Sequence, residues 1–399
     1  MPPPLLTIDR HPAEAPPRPA FGLWNLGFRP FYLLASLFAA VSILLWVAQY
    51  AGWLPFRYLQ SSAWHGSEML FGYATAVVAG FLFTAARNWT GQPTPRGALL
   101  AALATLWLAG RILVVTPWSV AAAAVNAAFP LAVAAGIAVP MLRAGNRRNY
   151  FFVGLLAGLG VLALAVNLAW FGIIEWPARA GLQVGLDVIL LIMAVMGGRV
   201  IPMFTNNGVP GTRARRAPWI EKLALGGIVL LIVADLVEAP APLLAILCAA
   251  LAIVHGARLW LWQPWRTLRT PLVWILHAAY AWIVLHLALR ALALLGAVSP
   301  FLATHALTIG GIGGLTIGMM TRTARGHTGR PLVADRADVT CYVLMMLAAL
   351  SRVVAPMLWP DEYVATVVAA GACWAAAFLL YFAAYLPWLL RARLDGKPG

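Results

Sequence analysis

Apolar stretches of about twenty residues, separated by short polar or proline-containing breaks, repeat along almost the whole chain. This is the length that an α-helix needs to cross the hydrocarbon core of a bilayer. The pattern predicts an all-α, polytopic membrane protein with twelve transmembrane helices. The predicted helices cover residues 30–54, 64–87, 98–116, 118–142, 150–174, 180–204, 219–237, 241–260, 272–295, 300–322, 339–358 and 363–390.

The distribution of charge predicts how these helices are oriented. The formal net charge is +15, and 23 of the 28 Lys and Arg residues lie in the two tails or in loops that follow even-numbered helices. Because basic residues accumulate on the cytoplasmic side of a membrane, both termini are predicted to be cytoplasmic. The basic balance therefore reports topology and contact with the lipid bilayer, and it predicts no nucleic-acid partner.

Three domain segments follow. Residues 1–20 contain seven prolines and lack the apolar middle of a signal peptide, so we predict a disordered cytoplasmic tail. Residues 21–391 form the twelve-helix transmembrane domain, and residues 392–399 form a second short cytoplasmic tail.

The three cysteines, Cys248, Cys341 and Cys373, stand alone inside apolar stretches. Without a C-x-x-C pair, the sequence argues against a disulfide framework, an iron–sulfur cluster or covalently attached haem. Any redox cofactor must then be held non-covalently, by histidine.

Helices 2 and 10 share a sequence pattern. Each begins with a histidine, His65 or His305, and leads into a Thr-Gly-x-Pro segment at 90–93 or 328–331. Helix 6 carries a weaker third copy that begins at Gln183. Recurrence every four helices predicts three arcs of four helices, although a match this short also fits chance.

His65 and His305 are predicted to lie at the same depth, within about two turns of the outer ends of helices 2 and 10. Two histidines on facing helices are the usual ligands of a haem iron inside a helical bundle. The alternative is a pair of interfacial histidines that hydrogen-bond carbonyl groups. Gly310, Gly314 and Gly318 fit a flat macrocycle against helix 10, and ordinary helix packing explains them as well.

Two acidic residues lie within predicted spans. Glu68 shares a helix face with His65 and is a candidate to orient the imidazole, relay protons or bind a metal; the alternative is an interfacial carboxylate facing water. Asp187 needs a cationic partner, for which Arg111 and Arg352 are the candidates.

A second group of histidines, His255, His277 and His327, is predicted near the cytoplasmic ends of helices 8, 9 and 10. Three imidazoles suit copper, zinc or iron, but nothing in the sequence fixes the distances between them. His286 is assigned to packing and His11 to the N-terminal tail. Arg199 and Arg322 lie at cytoplasmic helix ends, where haem propionates or phospholipid headgroups are met.

Five segments together resemble the NnrS family: WHGSEMLFG at 64–72, NWTG at 88–91, GRVIP at 198–202, LHAAY at 276–280 and GHTGRP at 326–331. The resemblance implies a haem- and copper-containing inner-membrane protein of the nitric oxide response in denitrifying bacteria. A more distant likeness is to the catalytic subunit of haem-copper oxidases and nitric oxide reductases. That subunit takes active-site histidines from helices 6 and 7, and here neither helix contains one.

The leading hypothesis is an integral membrane protein with one or two b haems that reduces nitric oxide to nitrous oxide, with quinol as electron donor. His65 and His305 would hold a haem, while Glu68, His277 and His327 would serve catalysis at a second metal, such as copper. Two alternatives remain: a transporter or chaperone for metal, haem or an NO-derived metal complex, and a haem-based sensor of nitric oxide.

Overall fold

The computed structural model describes residues 21–54 and 62–396. The prediction of a disordered tail at 1–20, with His11, lies outside the described residues, as do residues 397–399 of the predicted C-terminal tail.

Over the described residues the chain forms twelve long helices joined by short connections, which confirms the predicted all-α fold. They are α1 Phe28–Tyr50, α2 Ser62–Thr90, α3 Gly97–Leu113, α4 Ser119–Arg143, α5 Phe151–Trp170, α6 Ala178–Gly208, α7 Pro218–Leu236, α8 Ala241–Leu261, α9 Pro271–Leu294, α10 Pro300–His327, α11 Arg336–Val353 and α12 Tyr363–Leu390. A single extra turn at Ala355–Leu358 follows α11.

Ten of these helical segments are long and apolar enough to cross a membrane. The other two helices depart from the pattern for visible reasons. Helix α3 has only 17 residues, and α7 carries Glu221, Lys222 and Asp235 within its 19 residues. The protein is therefore a multi-pass membrane protein.

Helices α2, α6 and α10 meet at the centre of the bundle. The spans of α2 and α6 are each 83% buried, and those of α9 and α10 follow at 67%. The Tyr73 hydroxyl lies 2.5 Å from the Thr316 hydroxyl and joins α2 to α10. The Arg322 guanidinium lies 3.8 Å from the centre of the Phe204 ring and joins α10 to α6. Helices α2, α6 and α10 therefore lie inside the bundle, together with α9.

Gly310, Gly314 and Gly318 of α10 allow helix α9 to pack closely against this helix. A side chain at Gly310 would collide with Trp282, while a Cβ at Gly314 would lie 2.6 Å from the Ala279 Cβ. A Cβ at Gly318 would lie 2.9 Å from the Ile275 side chain, so all three positions face α9. The idea that these glycines accommodate a flat macrocycle is therefore wrong, because close packing of α9 occupies that face.

Hydrogen bonds between connections define the face of the bundle that carries the termini, which we call the basic face. The Gly97 amide donates to the Trp24 carbonyl, and the Leu394 amide donates to the Thr328 carbonyl. The Asn146 side chain donates to the Trp89 carbonyl at 3.0 Å, and the Arg213 amide donates to the Gln263 side chain at 2.9 Å. The other end of the bundle is called the opposite face below.

Candidate functional site

His65 and His305 lie close to each other near the opposite face, in the first two turns of α2 and α10. The two side chains are close enough to interact electrostatically. His305 Nδ1 lies 2.7 Å from the Phe301 carbonyl, which leaves Nε2 available as a ligand. This is the arrangement that orients a metal-binding imidazole, because the carbonyl fixes the tautomer in which Nδ1 carries the proton.

The His65 ring is held differently. It stacks on Trp46 of α1 with ring centres 5.1 Å apart and planes 5° apart. Its Nδ1 atom is buried and has no hydrogen-bond partner among the described residues. An unpaired buried nitrogen is costly, so this atom is a candidate to bind a group that the protein chain itself does not provide.

A π-helical turn follows each histidine. The turn in α2 spans Glu68–Ala74 and begins three residues after His65. The turn in α10 spans Ala306–Gly313 and begins directly after His305. π-helical turns are rare and are frequent at functional sites. Their presence at corresponding places in the two helices that share a sequence pattern marks this end of the bundle.

Arg352 of α11 is the cation of this site. It is only 8% exposed, and its charge acts on both His65 and His305. One Nη atom donates to the Tyr363 hydroxyl at 2.8 Å. The other Nη atom is buried without a hydrogen-bond partner in the part of the chain that the structure describes. A guanidinium with a free donor beside two imidazoles suits an anionic group.

Glu68 is tied into a structural network beneath the histidines. Its carboxylate is 2% exposed and accepts a hydrogen bond of 2.8 Å from Arg111 of α3. The same guanidinium also donates to Asn126 of α4. The π-helical turn contributes, because a side chain at Gly72 would collide with Arg111 and the Gly72 carbonyl accepts from Trp107 at 2.9 Å.

Asp187 has neither of its predicted partners. It accepts a hydrogen bond of 2.9 Å from Arg290, which also contacts both carboxylate oxygens of Asp235 at 2.7 and 2.6 Å. Arg290 lies inside α9 and is buried. The two arginines predicted to pair with Asp187 instead bind Glu68 and Tyr363. The cation that pairs with Asp187 comes from α9.

The predicted three-histidine metal site does not assemble. His255 Nδ1 lies 2.6 Å from the Tyr280 hydroxyl, and His277 Nε2 lies 2.8 Å from the Thr205 hydroxyl. His327 lies elsewhere, with its ring centre 5.6 Å from that of Phe28. Among the described residues, no group of three or more His, Cys, Asp or Glu side chains is placed to hold a metal ion.

Arg199 and Arg322 are remote from His65 and His305. Arg322 lies seventeen positions after His305 in α10, about 25 Å along a helix axis. Arg322 stacks on Phe204, and Arg199 donates to the Asn149 side chain at 2.7 Å. A haem held by the two histidines would therefore find its cationic neighbour in Arg352 rather than in these arginines.

Sequence reasoning identified the two histidines but missed the groups that surround them. Arg111 and Arg352 stood out only as charges within spans, and Trp46 as one of many tryptophans. The π-helical turns have no signal in hydropathy, because both turns are mainly apolar and contain ordinary helix formers as well as glycine.

The family described as NnrS protein matches residues 22–393, which is nearly the whole chain. The protein therefore belongs to the NnrS family, and this membership fits a role in the nitric oxide response. Comparison with curated proteins gives no match.

Proposed function

We propose that this NnrS-family protein is a haem b membrane protein that acts on nitric oxide, reducing two molecules to nitrous oxide with electrons from quinol. The observation that carries the proposal is the pair His65 and His305, with one free imidazole nitrogen on each ring. The proposal also places the protein in the bacterial inner membrane with both termini in the cytoplasm.

The residues at the opposite face fit a b-type haem. Neutral imidazoles are typical ligands of haem iron, and haem carries carboxylates that a buried arginine can neutralise. His65 and His305 would hold the iron, and Arg352 would bind a propionate. When bound, haem supplies a site that accepts and donates one electron at a time.

The protein residues have separate tasks in this proposal. Phe301 keeps Nδ1 of His305 protonated through its carbonyl, while Trp46 fixes the plane of His65. Glu68 is the nearest carboxylate along α2, but it is paired with Arg111. Its first task is to balance that charge, and delivery of protons to nitric oxide would require the pair to open.

A second metal is not supported by the residues present. The histidines proposed for copper, His255, His277 and His327, divide between two places in the bundle. No catalytic step is assigned to His277 or His327 for this reason. The proposed chemistry therefore rests on the site at the opposite face alone.

Optical spectra and metal analysis of the purified protein test the proposal, in the oxidised, reduced and NO-treated reduced states. We expect His65→Ala and His305→Ala each to abolish the signal of a six-coordinate low-spin haem. His255→Ala is a matched control, because His255 is also a buried histidine with one ring nitrogen unpaired among the described residues, but its Nδ1 lies 2.6 Å from the Tyr280 hydroxyl, away from the opposite face. A wild-type protein without haem despite adequate supply, or two histidine variants that keep the signal, would contradict the proposal.

Turnover is a separate measurement. Wild-type protein supplied with quinol and nitric oxide should produce nitrous oxide, with one quinol oxidised for two nitric oxide molecules consumed. Haem binding without nitrous oxide would leave a haem protein that binds or senses nitric oxide.

A transporter or chaperone is the second candidate function, and the two π-helical turns favour it. Irregular helices at corresponding positions of a repeat are a feature of transport proteins. In that case His65 and His305 would be transient ligands. Haem that exchanges within minutes with an external acceptor protein, rather than remaining bound through purification, would support transport.

A further inference from the structure

A second site lies at the basic face, between the ends of α2 and α6 and the connections around them. It is a cavity of about 390 Å³, lined by Trp89, Asn146, Arg148, Asn149, Arg199 and Arg216. Three of these six residues are arginines and two are asparagines, so the lining offers many hydrogen-bond donors. We refer to it as the arginine pocket.

The positive charge of the arginine pocket is largely uncompensated. Arg216 pairs with Glu221 at 2.9 Å, but Glu221 is already paired with Arg258 at 2.7 Å. Arg148 and Arg199 form no ion pair with any carboxylate in the described ranges. The charges of Arg148 and Arg216 both act on Arg199, so three like charges converge on one cavity.

Arg199 is held in place before any ligand arrives. Its guanidinium lies 5.7 Å from the Trp89 ring centre, 5.8 Å from that of Phe151 and 5.7 Å from that of Phe152. The Asn149 side chain, itself only 4% exposed, accepts a hydrogen bond of 2.7 Å from one Nη atom. A planar guanidinium fixed by aromatic rings loses little freedom when it binds an anion.

The depth of the pocket matches that of lipid phosphates. Helix α6 has 31 residues, about 46 Å at 1.5 Å per residue, whereas the hydrocarbon core is about 30 Å thick. Arg199 lies about 32 Å from the first residue of α6 along the helix axis. A hydrocarbon core that begins at the first residue of α6 would end near Arg199, so the guanidinium would lie beside the headgroup phosphates.

We propose that the arginine pocket binds a phosphate group at the basic face, the headgroup phosphate of an anionic phospholipid. Arg199 and Arg148 would each donate to phosphate oxygens, with Asn146 and Arg216 at the rim of the cavity. Arginine commonly binds phosphate through two parallel hydrogen bonds to two phosphate oxygens. This inference does not depend on haem or nitric oxide, because no residue of the opposite face takes part.

Native mass spectrometry of delipidated protein in detergent tests the inference. The probes are short-chain phosphatidylglycerol, phosphatidylcholine of the same chain length, and inorganic phosphate. The variants are Arg148→Gln, Arg199→Gln and the double variant. Arg147→Gln is the matched control, because Arg147 is also exposed on the same connection but does not line the cavity.

We expect the wild type and Arg147→Gln to bind phosphatidylglycerol in preference to phosphatidylcholine. Each pocket variant should bind phosphatidylglycerol about tenfold more weakly, since a charge-assisted hydrogen bond is lost. Arg148→Gln alone keeps the test valid if Arg199→Gln disturbs folding, because no hydrogen bond within the protein is lost at that exposed side chain.

Inorganic phosphate separates the two possible sources of the phosphate group. If it displaces phosphatidylglycerol at equal concentration, the ligand is a soluble phosphate; if it does not, the ligand is the lipid. The inference is overturned if Arg148→Gln binds phosphatidylglycerol as tightly as Arg147→Gln, or if the wild type binds both lipids equally.

Discussion

The ion pair between Glu68 and Arg111 allows a sharp test of what this carboxylate does. Glu68 is 2% and Arg111 9% exposed, and the closest N–O distance is 2.8 Å. Charge centres about 4 Å apart interact by about 4 kcal/mol at an effective dielectric constant of 20. Removal of one partner of a buried pair typically costs about 3–5 kcal/mol, because the other charge stays buried and unpaired. We therefore expect Glu68→Gln and Arg111→Met each to destabilise the protein by about 3 kcal/mol or more.

The double variant Glu68→Gln/Arg111→Met carries the decisive result. If the pair is mainly a charge-balancing element, the double variant should lose much less stability than the sum of the single losses. Denaturant unfolding in mixed micelles, followed by intrinsic fluorescence, gives the three free energies. Additive losses would refute the reasoning that the two charges are coupled.

Three further predictions concern the stability of the bundle, and the first compares two glycine substitutions. Gly310→Ala should lower the free energy of unfolding by about 1–3 kcal/mol, because the added methyl group collides with Trp282. Gly226→Ala on α7, with open space around it, should be neutral or stabilising by up to about 1 kcal/mol. Thermal unfolding in detergent compares the two variants, and a more stable Gly310→Ala would contradict the close contact of α9 and α10. Arg290→Met leaves two carboxylates without their cation and should cost about 3–5 kcal/mol; an unchanged midpoint in the same assay would mean that the carboxylates are otherwise neutralised. Asp335→Ala removes the side chain that caps α11 by accepting from the Asp338 amide at 3.0 Å and should cost about 1 kcal/mol, a loss that a wild-type midpoint would rule out.

Most of the fold was predictable because the bilayer imposes its own length scale. A span has to be apolar over about 20 residues, and prolines, glycines and charges mark its ends. Helix α12 spans Tyr363–Leu390 as predicted. Helix α10 continues five residues beyond the predicted end, to His327, because Arg322 lies against the Phe204 ring instead of ending the helix.

The depth of each histidine in the membrane could be predicted from the same length scale, whereas the neighbouring helices that each histidine contacts could not. Position along a helix is set by residue number, which is why His65 and His305 were correctly placed near one face. Which helix lies beside which depends on packing that no single sequence shows. His255, His277 and His327 have similar depth, yet His327 packs against α1. Asp187 likewise pairs with Arg290, because α9 lies next to α6.

The positive charge of Arg352 at the opposite face bears on which ligand His65 and His305 could bind. Arg352 is buried, and one of its Nη atoms is unpaired among the described residues. A bare metal cation between His65 and His305 would be repelled by this guanidinium, whose charge already acts on both rings. Haem instead brings carboxylates together with its iron, so one molecule would satisfy both the imidazole nitrogens and the arginine. Because an unpaired charge is costly inside a membrane, Arg352 favours the proposed haem over a bare metal cation as the ligand of this site.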